Sequence, residues 1–182
     1  YMKTLLHVGC GSLDKSSCLG FNNSDWNEIR FDINRDVNPD IVGTLTDMKL
    51  VKSNSIDAIY SAHNIEHIFF HEVPVALNEF YRVLKDDGMV VLTCPDLKNI
   101  SGAIANDRLL EPLYYAFGQP ISPIDSIYGW REPIAEGNYY MAHKCGFTYS
   151  LLDRLFFEAG FKSRIGGERP DAWDLFIVAF KK

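Results

Sequence analysis

The chain is predicted to be an α/β protein built on a mostly parallel sheet, and three observations carry that prediction. Strand-length apolar runs recur along it, as Leu5-Leu6-His7-Val8, Ile29-Arg30-Phe31, Ile56 to Ser61 and Met89 to Thr93. The run from Ile56 has the continuous apolar core expected of a strand covered on both sides. Between two such runs, Val73, Ala76, Leu77, Phe80, Tyr81 and Leu84 recur at helical spacing and make one amphipathic stripe over Glu72 to Leu84. Third, the first run passes directly into Gly9-Cys10-Gly11-Ser12, a turn in which glycines let the backbone bend sharply and lie against a ligand.

Taken in order, Thr4 to Val8 is the first strand and Glu28 to Phe31 the second. The Ser-, Asn-, Asp- and Gly-rich stretch Leu13 to Trp26 between them forms helix poorly, so only a short or irregular helix is expected there. Asp40-Ile41-Val42-Gly43 is a short third strand and Ile56 to Ser61 the fourth. The helix over Glu72 to Leu84 should end at Lys85-Asp86-Asp87-Gly88, with Gly88 free to take a left-handed cap. Met89 to Thr93 follows as the fifth strand. Residues 97 to 146, rich in aromatics and proline, break the rhythm and read as an insertion or lid of short helices and loops within a single domain spanning 1–182. The helix Tyr149 to Ala159 then stops at Gly160, and Phe161 to Ile165 pairs with Trp173 to Phe180 around Gly166-Gly167 as a terminal antiparallel hairpin. The sum is a Rossmann-like, mostly parallel seven-stranded sheet with helices on both faces and that hairpin at its end.

Bulk properties narrow the function classes. At 182 residues the chain has room for one full core. A net charge of −6 without clustered Lys and Arg argues against a nucleic-acid partner. No apolar run approaches the roughly 18 residues of a membrane span. The beginning of the chain has no secretory apolar region, and Cys10, Cys18, Cys94 and Cys145 form no Cys-x-x-Cys pair, so a cytoplasmic protein with reduced thiols is expected.

The second strand ends at Asp32, about twenty residues beyond the glycine turn, where a nucleotide-binding α/β unit places an acid to accept hydrogen bonds from ribose. Strand, Gly-x-Gly turn and acid-tipped second strand together point to an adenosine-type ligand. With the alternating strands and the closing hairpin, they resemble the class I S-adenosylmethionine-dependent methyltransferase family, and most nearly its small type 11 members. The resemblance covers nearly everything outside 97–146.

That resemblance implies S-adenosyl-L-methionine as cofactor and particular residues to hold it. Val8-Gly9-Cys10-Gly11-Ser12 would lie against its methionine part, Asp32 with Ile33 beside the ribose, and Asp47 with Met48 beside the adenine. Ser61-Ala62-His63-Asn64-Ile65-Glu66-His67 corresponds to the family's strand-to-helix segment, which puts Ser61 and His63 next to the cofactor. The acceptor implied is a small molecule or a glycan-like saccharide; some relatives are assigned to surface-polysaccharide synthesis. Two departures stand out: the third glycine of the motif is missing at Ser12-Leu13-Asp14, and the first helix is weak.

Methyl transfer is an in-line displacement whose electrophile arrives with the cofactor, so few catalytic side chains are required. His63 and His143 are the candidate general bases, since imidazole titrates near working pH. Tyr139 and Tyr140 are candidates to line the acceptor pocket. His63-x-x-Glu66-His67 also matches a zinc-hydrolase signature, but it begins at a strand end where that chemistry needs a long helix, and no metal ligands are assigned. Three alternatives remain at this point: a non-catalytic binding or regulatory module of the same fold, a nicotinamide dehydrogenase, and a metal hydrolase. The oligomeric state and the methylated atom are not written in the residues.

Overall fold

A computed structural model describes residues 2–182. Seven strands form one sheet: β1 (Lys3–Val8), β2 (Trp26–Asp32), β3 (Ile41–Val42), β4 (Ile56–Ala62), β5 (Leu84–Pro95), β8 (Ser163–Arg169) and β9 (Asp174–Phe180). Their order is β3-β2-β1-β4-β5-β9-β8. The first five run parallel, and β9 enters antiparallel between β5 and β8. Chain order reverses between β1 and β4, and at such a switch point the crevice beyond the strand ends is where an open α/β sheet binds its ligand.

The sheet has two unlike faces. Alternation along each strand sends Leu6, Val8, Ile59, Val90, Leu92 and Ile177 to one side. There they meet α1 (Val73–Val83) and α5 (Tyr149–Glu158). The helix α1 forms for the reason its stripe predicts: Val73, Ala76, Leu77, Phe80 and Val83 are all fully buried. Each large member of that stripe contributes roughly 1.5–3 kcal/mol by leaving water. On the opposite side Leu5 and Ala58 pack with Cys18, Phe21 and Trp26. Here the expected weak first helix shrinks to a three-residue 3-10 turn, Lys15–Ser17, capped by Asp14, whose Oδ1 accepts from Ser16 N at 2.8 Å.

Two expected turns are built differently. The helix α1 hands over directly to β5 at Leu84, which pairs with Ile56, and the register then shifts before Ala58 meets Met89. Lys85 to Gly88 is therefore a bulge in the strand. Gly88 keeps a negative φ and is required by close approach instead, since a Cβ there would press on the Lys85 carbonyl and the Leu84 side chain. In the closing hairpin, Gly166 and Gly167 lie inside β8, opposite Ile177 and Phe176. The reversal falls at the 3-10 turn Pro170–Ala172 and left-handed Trp173, φ 59°.

The segment 97–146 folds as short elements above the strand ends: α2 (Leu97–Ala105), the small hairpin β6 (Tyr114–Ala116) and β7 (Gln119–Ile121), α3 (Pro123–Tyr128), α4 (Arg131–Ala135) and a 3-10 turn Tyr139–Met141. It returns to the sheet through Lys144 N, which donates to the Glu66 carbonyl at 2.8 Å. Among the described residues, no helix is long and apolar enough to cross a membrane.

A candidate active site at the carboxyl edge of the sheet

The switch point brings the glycine turn and the first acid together. Gly9 and Gly11 take φ values of 67° and 53°, the left-handed region where a side chain would be strained. Gly11 N donates to Asp32 Oδ2 at 2.8 Å, and Asn34 N donates to Oδ1 at 2.8 Å. Each carboxylate oxygen retains a lone pair for a further donor. A Cβ added at Gly11 would meet nothing within 4 Å, so the turn faces open space on the ligand side. At Gly9 the side chain of Asn64 fills the position instead, joining the end of β1 to the loop after β4. Arg30 braces the bend from below by donating to the carbonyls of Gly11, Leu13, Val37 and Asn38.

Other expected cofactor contacts are placed less uniformly. Cys10 is buried behind the turn, and burial pushes its thiol up to about 11. Ile33 is exposed beside Asp32. Asp47 lies beyond β3, pairs with Lys49 at 2.8 Å and borders a small cavity of about 150 Å³ with Phe31, Val42 and Gly43. Met48 is fully buried in the main core, so its side chain is turned inward. Ser61 is buried with its hydroxyl unpartnered, a polar atom at the strand edge that still lacks a hydrogen bond. These features fit an adenosyl ligand at the bend: open space over Gly11, acceptor capacity on Asp32 and an unused hydroxyl at Ser61.

Next to this bend sits a cluster of ionisable side chains. His63 takes a left-handed φ of 49°, unusual for a residue with a Cβ. Its Nδ1 lies 3.6 Å from Glu66 Oε1 and its Nε2 3.6 Å from Asp174 Oδ2. Burial alone would depress His63, but the two carboxylates outweigh it and lift the imidazole to about 9. Asp174 opens β9, and because that strand is antiparallel its first residue arrives at the edge where the parallel strands end. Arg169 pairs with Asp174 through both Nε and Nη2.

Glu66 is buried, and neither carboxylate oxygen has a hydrogen-bond partner. His63, His67 and His143 surround it, and His63 above all holds its carboxyl below the usual glutamate value against the opposing effect of burial. His143 Nε2 is 3.9 Å from Glu66 Oε1, while its Nδ1 is 2.9 Å from the Ser126 carbonyl. That carbonyl can only accept, so Nδ1 carries the proton and Nε2 the lone pair. Burial pushes the His143 imidazole below its ordinary value.

The zinc-hydrolase signature is not helical here: Ile65–His67 is a single 3-10 turn. Glu66, His67 and His143 do offer ligating atoms within 4.8 Å of one another. Both His67 nitrogens, however, already face backbone carbonyls, of Ala142 and His63, each at 3.2 Å. Glu66, with both oxygens unpartnered, and His143 Nε2 face each other at 3.9 Å, an arrangement open to acid–base chemistry.

Among the aromatics of 97–146, Tyr139 and Tyr140 are 73% and 53% exposed and stand on the outer turn, so they enclose no cavity in this conformation. Tyr114 is the tyrosine that feels the cluster, its hydroxyl pushed up to about 12 by burial and by the Glu66 and Asp174 carboxylates. Neither Tyr114 nor Asp174 carries a local motif; their only sequence signal was membership in the insertion and in the terminal hairpin.

Comparison with known proteins agrees with this architecture. A family model described as a methyltransferase domain matches residues 6–92. A methyltransferase dependent on S-adenosylmethionine from Methanosarcina mazei superposes with a TM-score of 0.66 at 18% identity, over 99% of this chain and 92% of that one. The 1,6-didemethyltoxoflavin-N1-methyltransferase of Burkholderia thailandensis, solved with its substrate and S-adenosylhomocysteine, gives 0.60 at 13% identity, over 100% of this chain and 72% of that one. A Nostoc punctiforme structure gives 0.59 at 14% identity over 98% of this chain, which spans only 51% of its length. No curated protein matches by sequence. A methyltransferase domain match thus spans most of β1 to β5, and the chain shares its overall fold with solved S-adenosylmethionine-dependent methyltransferases.

Proposed function

We propose that this chain transfers the methyl group of S-adenosylmethionine to a nucleophilic atom of a small-molecule or saccharide acceptor. The observation that carries the reading is the bond from Gly11 N to Asp32 Oδ2, which unites bend and acid at the switch point, one strand away from the His63–Glu66–His143 cluster. The cofactor, when bound, supplies a sulfonium methyl as electrophile. Backbone at Gly9, Cys10 and Gly11 would hold its amino-acid part, the free lone pairs of Asp32, with Ile33 alongside, would accept from the ribose hydroxyls, and Asp47 would flank the base. Ser61 would donate its unused hydroxyl.

In this reading the two histidines differ in role. His63, held between two carboxylates, is an imidazolium at neutral pH and orients the acceptor as a hydrogen-bond donor. His143 is neutral and takes the acceptor proton on Nε2, and Glu66 then stabilises the imidazolium that forms. Tyr114, together with Tyr139 and Tyr140 after closure of the insertion, lines the acceptor side.

Isothermal titration with S-adenosylhomocysteine tests the cofactor half. Wild-type protein should bind, and Asp32→Ala should bind at least tenfold more weakly, a loss of about 1.4 kcal/mol or more. Absence of wild-type binding at millimolar ligand, or unchanged affinity in the variant, would remove the assignment.

A further inference from the structure

On the face of the sheet that Leu5 and Ala58 share with Phe21 and Trp26, three potential ligands converge from three segments. His7 projects from β1, Glu28 from β2, and Cys18 follows the 3-10 turn that stands in for the first helix. His7 Nδ1 lies 2.8 Å from Glu28 Oε1 and 3.5 Å from Cys18 Sγ. One donor atom from each residue falls within 4.8 Å of the other two. His7 is 4% exposed, Cys18 is fully buried and the Glu28 side chain is 12% exposed.

A single hydrogen bond from Nδ1 cannot join all three groups. Nδ1 carries either a proton or a lone pair. With a proton it serves Glu28, and the thiol turns to Ser17 and to the Asp14 carbonyl, 3.9 Å away. With a lone pair it accepts from the thiol, and then sets that lone pair against a carboxylate oxygen at 2.8 Å. A divalent cation among the three would draw on one donor atom from each at once. Thiolate, imidazole and carboxylate form the mixed donor set that suits zinc, with bond lengths of roughly 2.0–2.3 Å and a fourth position for water.

We propose that His7, Cys18 and Glu28 form a zinc site that fastens the irregular segment 13–25 to β1 and β2. On binding, the Cys18 S–H bond breaks, the proton passes to solvent and a zinc–thiolate bond forms, with no change in oxidation state. The segment so fastened begins at the glycine turn, and its two strands carry Gly9 and Asp32 at their ends. The site would therefore stiffen the bend from outside the cleft without touching what lies in it.

Chelator-stripped protein should bind about one zinc per chain in competition with a chromophoric indicator. Cys18→Ser and Glu28→Gln should each weaken binding at least a hundredfold. Glu66→Gln, in the other cluster of possible ligands, should leave it unchanged. Cobalt substituted for zinc should give a thiolate-to-metal charge-transfer band in the wild type that Cys18→Ser lacks. The wild-type band is independent of whether any variant folds, so its absence would overturn the proposal. So would binding that survives Cys18→Ser or disappears in Glu66→Gln.

Discussion

His63 and His143 face the same buried carboxylate, yet their surroundings drive them to opposite protonation states. His63 has a second carboxylate, Asp174, on its far nitrogen, whereas His143 has a neutral carbonyl, that of Ser126. The consequence for stability follows from linkage. The folded-state value of His63, about 9, lies above the ordinary 6.5, so its contribution is complete below pH 6.5 and is lost as pH rises through 9. Urea unfolding of the wild type should therefore show falling stability across that window, and His63→Gln should flatten the slope. A slope of equal steepness in the variant would reject the ion cluster as its source. For His143 the proposed role as base sets the readout. Its imidazole must be neutral to accept a proton, so activity should fall as pH drops through a midpoint below the ordinary histidine value. His143→Gln should lose about a hundredfold or more in kcat together with that acid limb, and persistence of the limb would point to another base. Both histidines were legible in the sequence as candidates. The different surroundings behind their proposed roles were not, because Asp174 and Ser126 reach them only through the fold.

At the level of elements, the sequence marked where helices and strands lie better than where they turn. Long periodic stretches such as Val73–Val83 and Tyr149–Glu158 came through because burial of one face dictates the period. The glycine pairs misled, since glycine answers two different needs. Gly166 is demanded by close approach inside β8, where a Cβ would run into the Phe176 carbonyl and the Tyr149 ring. Its neighbour Gly167 meets only a Phe176 ring atom at 3.9 Å. Gly166→Ala should therefore cost about 1–3 kcal/mol by overpacking, while Gly167→Ala should be nearly neutral. Denaturant unfolding of the two variants separates these outcomes, and equal effects would mean that the strand yields easily at both positions.

For the molecule as a whole, the proposed cofactor contacts are spread over Gly9 and Gly11 after β1, Asp32 on β2, and Ser61 and His63 at the end of β4. A ligand that bridges those strands binds only the assembled sheet, so it should stabilise the whole fold. At a hundred times its Kd, S-adenosylhomocysteine should add about 2.7 kcal/mol, read as a shift of the unfolding transition. A transition that stays in place at that concentration would show that the bend and the acids do not act together. Much of this was already written in the chain. The strand rhythm, the amphipathic helices, the glycine turn and its acid about twenty residues on are local patterns, each set by burial or by the steric freedom of glycine. What the tertiary structure alone decided is which distant groups share one small volume: Asp174 with His63, His143 with Glu66, and Cys18 with His7 and Glu28. Those encounters span tens of residues and depend on the antiparallel entry of β9, the return of the insertion and the draping of an irregular loop. Local physics constrains none of the three until the sheet has formed.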